Sequence, residues 1–188
     1  MRMTTLAALV LGGILALASN SPVRAELRIS DLDVYLNDHE VTVHIVLLGA
    51  IPTEFLEGLH SGISAHLRVV IELFRYNRLR PDRRVNRAIL ERTLTYNVVT
   101  KEYKVTLGPN EHRPPTTTRE LRHAERILSE ARGVKLTPAD TLDASEIYYV
   151  RVNAETALNG DTSWVARMSG LSERTSRQSD YRTLLPTR

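Results

Sequence analysis

The sequence predicts a mainly β (α+β) fold, an antiparallel β-sandwich-like domain of six to seven strands with one helix. Three observations carry this prediction. Ile63–Tyr76 alternates strictly, with Ile63, Ala65, Leu67, Val69, Ile71 and Leu73 on one face and Ser64, His66, Arg68, Val70, Glu72 and Phe74 on the other. Leu27–Ala50 repeats that period on both sides of the polar break Asn37-Asp38-His39-Glu40, which reads as a hairpin. Only one long stretch, 117–132, carries apolar residues at helical spacing.

The elements follow in order. Leu32, Val34 and Leu36, then Val41, Val43, Ile45 and Leu47, form the apolar faces of the first hairpin. A short helical turn is expected over 52–60, because Pro52 suits a first turn, Phe55, Leu56 and Leu59 share a side, and Gly62 closes it. After the long strand, Pro81-Asp82 makes a turn. Val85–Thr100 and Glu102–Leu107 form a second strand pair with Leu94, Tyr96 and Val98 as inward candidates. GPNEHRPPT (Gly108–Thr116) is a loop by its three prolines. Thr117 and Glu120 stand at capping-box spacing, Leu121, Ala124, Ile127, Leu128 and Ala131 form the helical stripe, and Gly133 stands at a C-terminal cap position. Ile147–Ala154 returns to strand, and Tyr181–Leu185 reads as a last edge strand.

The N-terminus reads as a secretory signal peptide over 1–25. Arg2 precedes the apolar run Leu6–Ala18, polar residues break it, and Val23-Arg24-Ala25 precedes a cleavage point before Glu26. That run is shorter than the roughly 20 residues that span a bilayer, and an uncleaved anchor is the alternative. Loss of this segment removes Arg2 and Arg24 and no acid, taking the formal charge from +3 to +1. Residues 26–157 then form one β-rich domain, and 158–188 a polar tail. Cysteine is absent, which excludes disulfides, thiolate metal sites and thiol catalysis.

The order of these landmarks resembles a bacterial exported family, the domain of unknown function 4390. They are the signal segment, the hairpin ending near Leu48, LHSGIS (Leu59–Ser64), IELFRYNRLRPD (Ile71–Asp82), LTYNVVTKEYKV (Leu94–Val105), the helix and YYVRV (Tyr148–Val152). The resemblance covers the chain from the signal to about Ala157. It implies an extracytoplasmic bacterial location and supplies no catalytic residues.

Catalytic motifs are missing. The six histidines show no HExxH spacing, although His44 and His66 on strands with His60 nearby would suit zinc if Glu72 joined them. Asp31 and Asp33 share a strand face without the EF-hand pattern, and Ser61 after His60 lacks nucleophile-elbow glycines. Tyr148, Tyr149 and Trp164 suit a ligand surface or a core, and strand alternation turns only one of the two tyrosines inward.

The unusual local feature is arginine. Eight lie between Arg68 and Arg92 (Arg68, Arg75, Arg78, Arg80, Arg83, Arg84, Arg87, Arg92), against Glu72, Asp82 and Glu91. Guanidinium forks suit phosphate and carboxylate. They either solvate a strand–turn tip, pairing with acids such as Asp140 and Asp143, or bind an anion. The expectation is a non-enzymatic, exported envelope protein that binds an envelope protein or anionic envelope component through Arg78, Arg80, Arg83 and Arg84. No catalytic residue, cofactor, metal or nucleic acid is expected, and membrane contact only through an uncleaved signal. A periplasmic hydrolase or metal-dependent enzyme built on a His/Asp constellation, and a self-assembling structural subunit, are the alternatives.

Overall fold

In the computed structural model, which describes residues 26–36, 39–158, 172–180 and 182–183, all strand pairings are antiparallel and fall into two sheets. The signal segment, Trp164, most of the tail and Asn37-Asp38 of the hairpin break lie outside the described residues. No helix among the described residues is long and apolar enough to cross a membrane.

The small sheet starts with β1 (Arg28–Leu36) and β2 (Glu40–Leu48). A bulge at Ser30 shifts the register between Ile29 and Asp31. It turns Ile29, at an odd position, to the same side as Val34 at an even one, and both are buried. On β2 every second residue, Val41, Val43, Ile45 and Leu47, is buried as its alternation requires.

Next comes α1 (Phe55–His60), which buries Phe55 and Leu59. It ends in a Schellman motif: the Ile63 N–H donates to the Gly58 carbonyl and the Gly62 N–H to that of Leu59, both at 3.0 Å. Gly62 holds φ +93°, a conformation that costs an L side chain.

The large sheet is built around β3 (Ala65–Arg75), which pairs along its full length with β4 (Arg83–Asn97) on one side and β8 (Ile147–Leu158) on the other. β5 (Glu102–Leu107) and β6 (Thr116–Thr118) extend it beyond β4, while β9 (Ser172–Gln178) and β10 (Arg182–Thr183) lie along β8. Leu67, Val69, Ile71 and Leu73 from β3 and Val150, Val152 and Ala154 from β8 meet the β2 face in one core. Each of the valine, leucine and isoleucine side chains among these contributes about 1.5–3 kcal/mol on burial.

The third strand of the small sheet, β7 (Glu130–Pro138), pairs with β2 and follows α2 (Leu121–Ser129) without a loop. Here the structure corrects the expected helix over 117–132. Thr116–Thr118 pairs with Tyr103–Val105 as an edge strand, so Thr117 cannot cap, and Glu120 precedes the helix without a side-chain cap. At the other end Ala131 is buried opposite Ile45 in a strand. Gly133 closes no helix: with Arg132 it stands opposite His44 in a bulge, at φ +66°. Val98, expected inward, is exposed, because the Asn97 side chain accepts the N–H groups of Val99 and Thr100 and turns the chain one residue earlier. The six strands expected before the tail are β1–β5 and β8; β10 falls within the expected 181–185, and β6, β7 and β9 are additional.

Arg92 joins these parts. Its side chain is 4% exposed and points from β4 into the junction of α2 and β7. The guanidinium donates to both carboxylate oxygens of Glu111, with Nε at 2.8 Å, and Nη1 donates to the carbonyls of Ile127, Leu128 and Glu130 at 3.1, 2.7 and 2.8 Å. The last carbonyls of a helix have no partner within it, and a cation there also meets the negative end of the dipole.

Removing one partner of a buried pair strands the other. Arg92→Met is therefore expected to lower unfolding free energy in urea by about 3–5 kcal/mol, and the double variant with Glu111→Leu by less than the sum of the two single losses.

Candidate functional site

The arginines that crowd the sequence between 68 and 92 separate into three groups in space. Arg92 is the buried strut just described. A second group lies on the outer face of the large sheet, where strand alternation sets arginines opposite glutamates. Arg84 donates to Glu72 at 2.9 Å with Arg87 at 4.0 Å from the same carboxylate, Arg68 stands 3.6 Å from Glu91, and Arg174 of β9 lies 2.9 Å from Glu155. At the end of β3, Arg75 lies 3.5 Å from Glu146. The charged rows surround a shallow concavity of about 360 Å³ over Val70. The acids that answer these arginines are thus Glu72, Glu91, Glu146 and Glu155, and neither Asp140 nor Asp143 forms an ion pair with the tip among the described residues.

The third group is the β3–β4 tip. Arg78, Arg80 and Arg83 are exposed and make no ion pair among the described residues. Arg84, the fourth residue expected to act here, is 54% exposed but anchored on Glu72. Between the arginines, Leu79 is 90% exposed.

This tip is built, not loose. Asp82 accepts the Asn77 N–H at 2.9 Å on one oxygen and the Tyr149 hydroxyl at 2.8 Å on the other. The Asn77 side-chain oxygen accepts the N–H groups of Leu79 and Arg80 at 3.0 and 3.2 Å, an Asx turn. Tyr76 N–H donates to the Ile147 carbonyl at 2.8 Å, which ties the loop base to β8. Tyr149 is itself fixed by a near-parallel stack on Phe74, with centroids 5.3 Å apart, and the Arg151 guanidinium lies 4.9 Å above the Phe74 ring. This cover explains why both tyrosines are buried where alternation predicts one. Tyr148 joins the core, its hydroxyl accepting the Asp143 N–H, whereas Tyr149 is buried on the opposite face.

The hydrogen bond from the Asn77 amide, followed by that from Tyr149 and the charge of Arg151, holds the Asp82 carboxyl below its usual 3.8. Asp143 is lowered too, through hydrogen bonds from the Ser145 side chain and N–H and the charge of Arg75.

The histidines keep separate company. His44 tilts against Tyr35 on the small sheet, opposite Asp33. His66 lies on the outer face of β3, its Nδ1 3.2 Å from the Thr93 hydroxyl. His60, on α1, has Nε2 2.6 Å from the Tyr103 hydroxyl and packs edge-on against Tyr96. Burial raises the Tyr103 and Glu125 pKa values, and it lowers that of His66. Asp31 and Asp33 are exposed. Among the described residues no three His, Cys, Asp or Glu side chains stand close enough to hold a metal ion. Of the edge strand expected over 181–185, Arg182–Thr183 pairs with Ile147–Tyr148, and the rest lies outside the described residues.

Sequence reasoning missed Asn77, Asp82 and Tyr149 as the tip's frame. Pro81-Asp82 marked the turn and Asn77 is a residue that favours Asx turns, but nothing local ties either to Tyr149.

The family described as domain of unknown function (DUF4390) matches residues 24–182, and the chain belongs to it. No curated protein and no solved structure matches the chain.

Two pH effects follow. Ionised Asp82 is favoured by folding, so its contribution is present above 3.8 and is lost as pH falls through its lower folded value. Wild type should therefore lose stability relative to Asp82→Asn on acidification below 3.8, with the Asn77 amide losing exchange protection at the same time. His66 runs the other way as a base: folding favours its neutral form, so below 6.5 the unfolded chain takes up more protons. Thermal melts of wild type should fall relative to His66→Gln as pH drops below 6.5 and keep a constant gap above it.

Proposed function

We propose that this family member is an exported, non-enzymatic binding module of the bacterial envelope, which holds an anionic component, an acidic protein face or an anionic head group, at the β3–β4 tip. The observation that carries the reading is the set of guanidinium groups of Arg78, Arg80 and Arg83, without counter-charge among the described residues, on a loop that Asp82 and Asn77 hold in one shape. Arg84 completes the set from its anchor on Glu72. Arginine forks bind phosphate and carboxylate in two-pronged fashion. A loop shaped beforehand spends less ordering entropy on binding.

Export is supported by the order of basic, apolar and small residues over 1–25, the layout of a secretory signal. A binding role, as opposed to a hydrolytic or metal-dependent one, is supported by the histidines: His44, His60 and His66 each engage a different partner on a different element. Exposed Leu79 adds an apolar contact at the centre of the charged set.

The test is co-sedimentation of the exported chain with bacterial envelope fractions over a salt series. Wild type should bind at low salt and be released at high salt, and Arg78→Glu/Arg80→Glu/Arg83→Glu should bind about tenfold more weakly or less, with an unchanged melting temperature. Equal retention of both chains would refute the tip as the binding surface.

A further inference from the structure

β4 carries a second surface, distinct from the tip. β5 pairs only with Arg92–Asn97, so Arg83–Glu91 have β3 on one side and no strand on the other among the described residues. In the small sheet, β7 is likewise paired on one side only, by β2. These two strand edges, one from each sheet, line the same cleft of about 650 Å³, with Arg87–Leu90 on one wall and Arg132–Lys135 on the other. A free edge presents unpaired peptide groups at every second residue and is a template for a further strand.

Two asparagines partly occupy these edges. Asn110 Nδ2 donates to the Ile89 carbonyl at 3.2 Å. The Asn86 side chain accepts the Arg87 N–H at 2.8 Å and donates to the Leu136 carbonyl of β7. Asn86 thus places one amide, accepting from β4 and donating to β7, where the peptide group of an intervening strand would do both.

The cleft is basic. Arg87, His112, Arg113, Arg132 and Lys135 line it, and its one carboxylate, Glu111, is engaged by Arg92. Arg113 has no ion pair among the described residues. Arg132 and Lys135 pair with Glu130 and Glu40, but at 69% and 72% exposure such pairs exchange readily for another carboxylate.

We propose that this cleft takes an extended acidic peptide segment of a partner protein. The segment adds as a strand along the β4 edge, displacing the asparagine amides, and sets its carboxylates against Arg113, Arg132 and Lys135. Strand addition draws affinity from main-chain hydrogen bonds and selectivity from alternate side chains. A polyanion without peptide groups satisfies the charge but neither edge.

The test uses the folded chain and a fluorescent peptide of alternating Glu and Thr, about six to eight residues long, an ordinary strand length. Anisotropy at low salt should give saturable binding. Methylation of alternate peptide nitrogens should abolish it, because the edge bonds are lost while the charge is kept. Arg113→Glu/Arg132→Glu should weaken it about tenfold or more, and Lys135→Ala, the milder variant, should weaken it if the pair impairs folding. Any binding at the tip needs only charge, so the difference between the plain and the N-methylated peptide reports this cleft alone. Absence of saturable binding, equal binding of the methylated peptide, or unchanged binding by the folded cleft variants would overturn the proposal.

Discussion

One guanidinium decides how the two halves of this molecule meet. Arg92 belongs to the large sheet, yet its bonds all go elsewhere: to Glu111 in the turn after β5, and to the carbonyls where α2 gives way to β7. A buried arginine costs several kcal/mol of desolvation unless charge and hydrogen bonds offset it. Here a two-pronged carboxylate and three carbonyls do so. The carbonyls are those a helix end leaves without partners, so satisfying Arg92 and ending α2 are the same event. Once Ile127, Leu128 and Glu130 point to one cation, the chain is free to turn into β7 and close the small sheet on β2.

That arrangement has a geometric consequence. The turn carrying Glu111 must reach back to Arg92, so the chain leaves the β4 edge where β5 ends, at the Arg92–Leu107 pair. The rest of β4 continues towards the tip with one partner. β4 is 15 residues long and β5 is 6, and the difference is the open edge that faces β7. The strut that joins the sheets therefore also leaves them apart beyond it, with asparagine amides and cations in the gap. Covering a free edge with polar side chains is a usual defence against unwanted pairing. Setting Arg113, Arg132 and Lys135 along it, with its one carboxylate engaged by Arg92, also selects what can pair.

Much of the fold was legible because period two is hard to counterfeit over a long run. β2 and β3 bury every second residue with no exception through their apolar stretches, and the Gly62 turn was visible as a stop. What failed was the distinction between the end of a helix and the start of a strand. Ala131 fits a helical stripe and a strand's inner face equally well, and Gly133 serves a helix stop or a bulge by the same left-handed φ. Thr117 fits a cap or an edge strand, and only the partner at Lys104, earlier in the chain, decides between them. The arginines posed the same difficulty in another form. Alternation sets Arg92 on the inward face between Leu90 and Leu94, unlike Arg83, but it does not show what satisfies a buried guanidinium there; Glu111 and three carbonyls do so from far along the chain.

The tip shows why an acid belongs inside a basic loop. Asp82 neutralises none of the tip arginines; its two oxygens are taken by the Asn77 amide and the Tyr149 hydroxyl. Those bonds favour the carboxylate, so the aspartate stays ionised while it shapes the loop. An acid placed to pair with Arg78 or Arg80 would spend the charge the loop exposes. Fixed instead from below by Tyr149, which stacks on Phe74 with the Arg151 guanidinium against both rings, it shapes the loop without forming an ion pair with the tip arginines among the described residues. The outer face follows the opposite rule, with Glu72, Glu91 and Glu155 each beside an arginine. The outer face and the tip, both rich in arginine, thus differ in what they offer a partner: the face has its charge answered within the fold, and the tip holds it outward on a hydrogen-bonded frame.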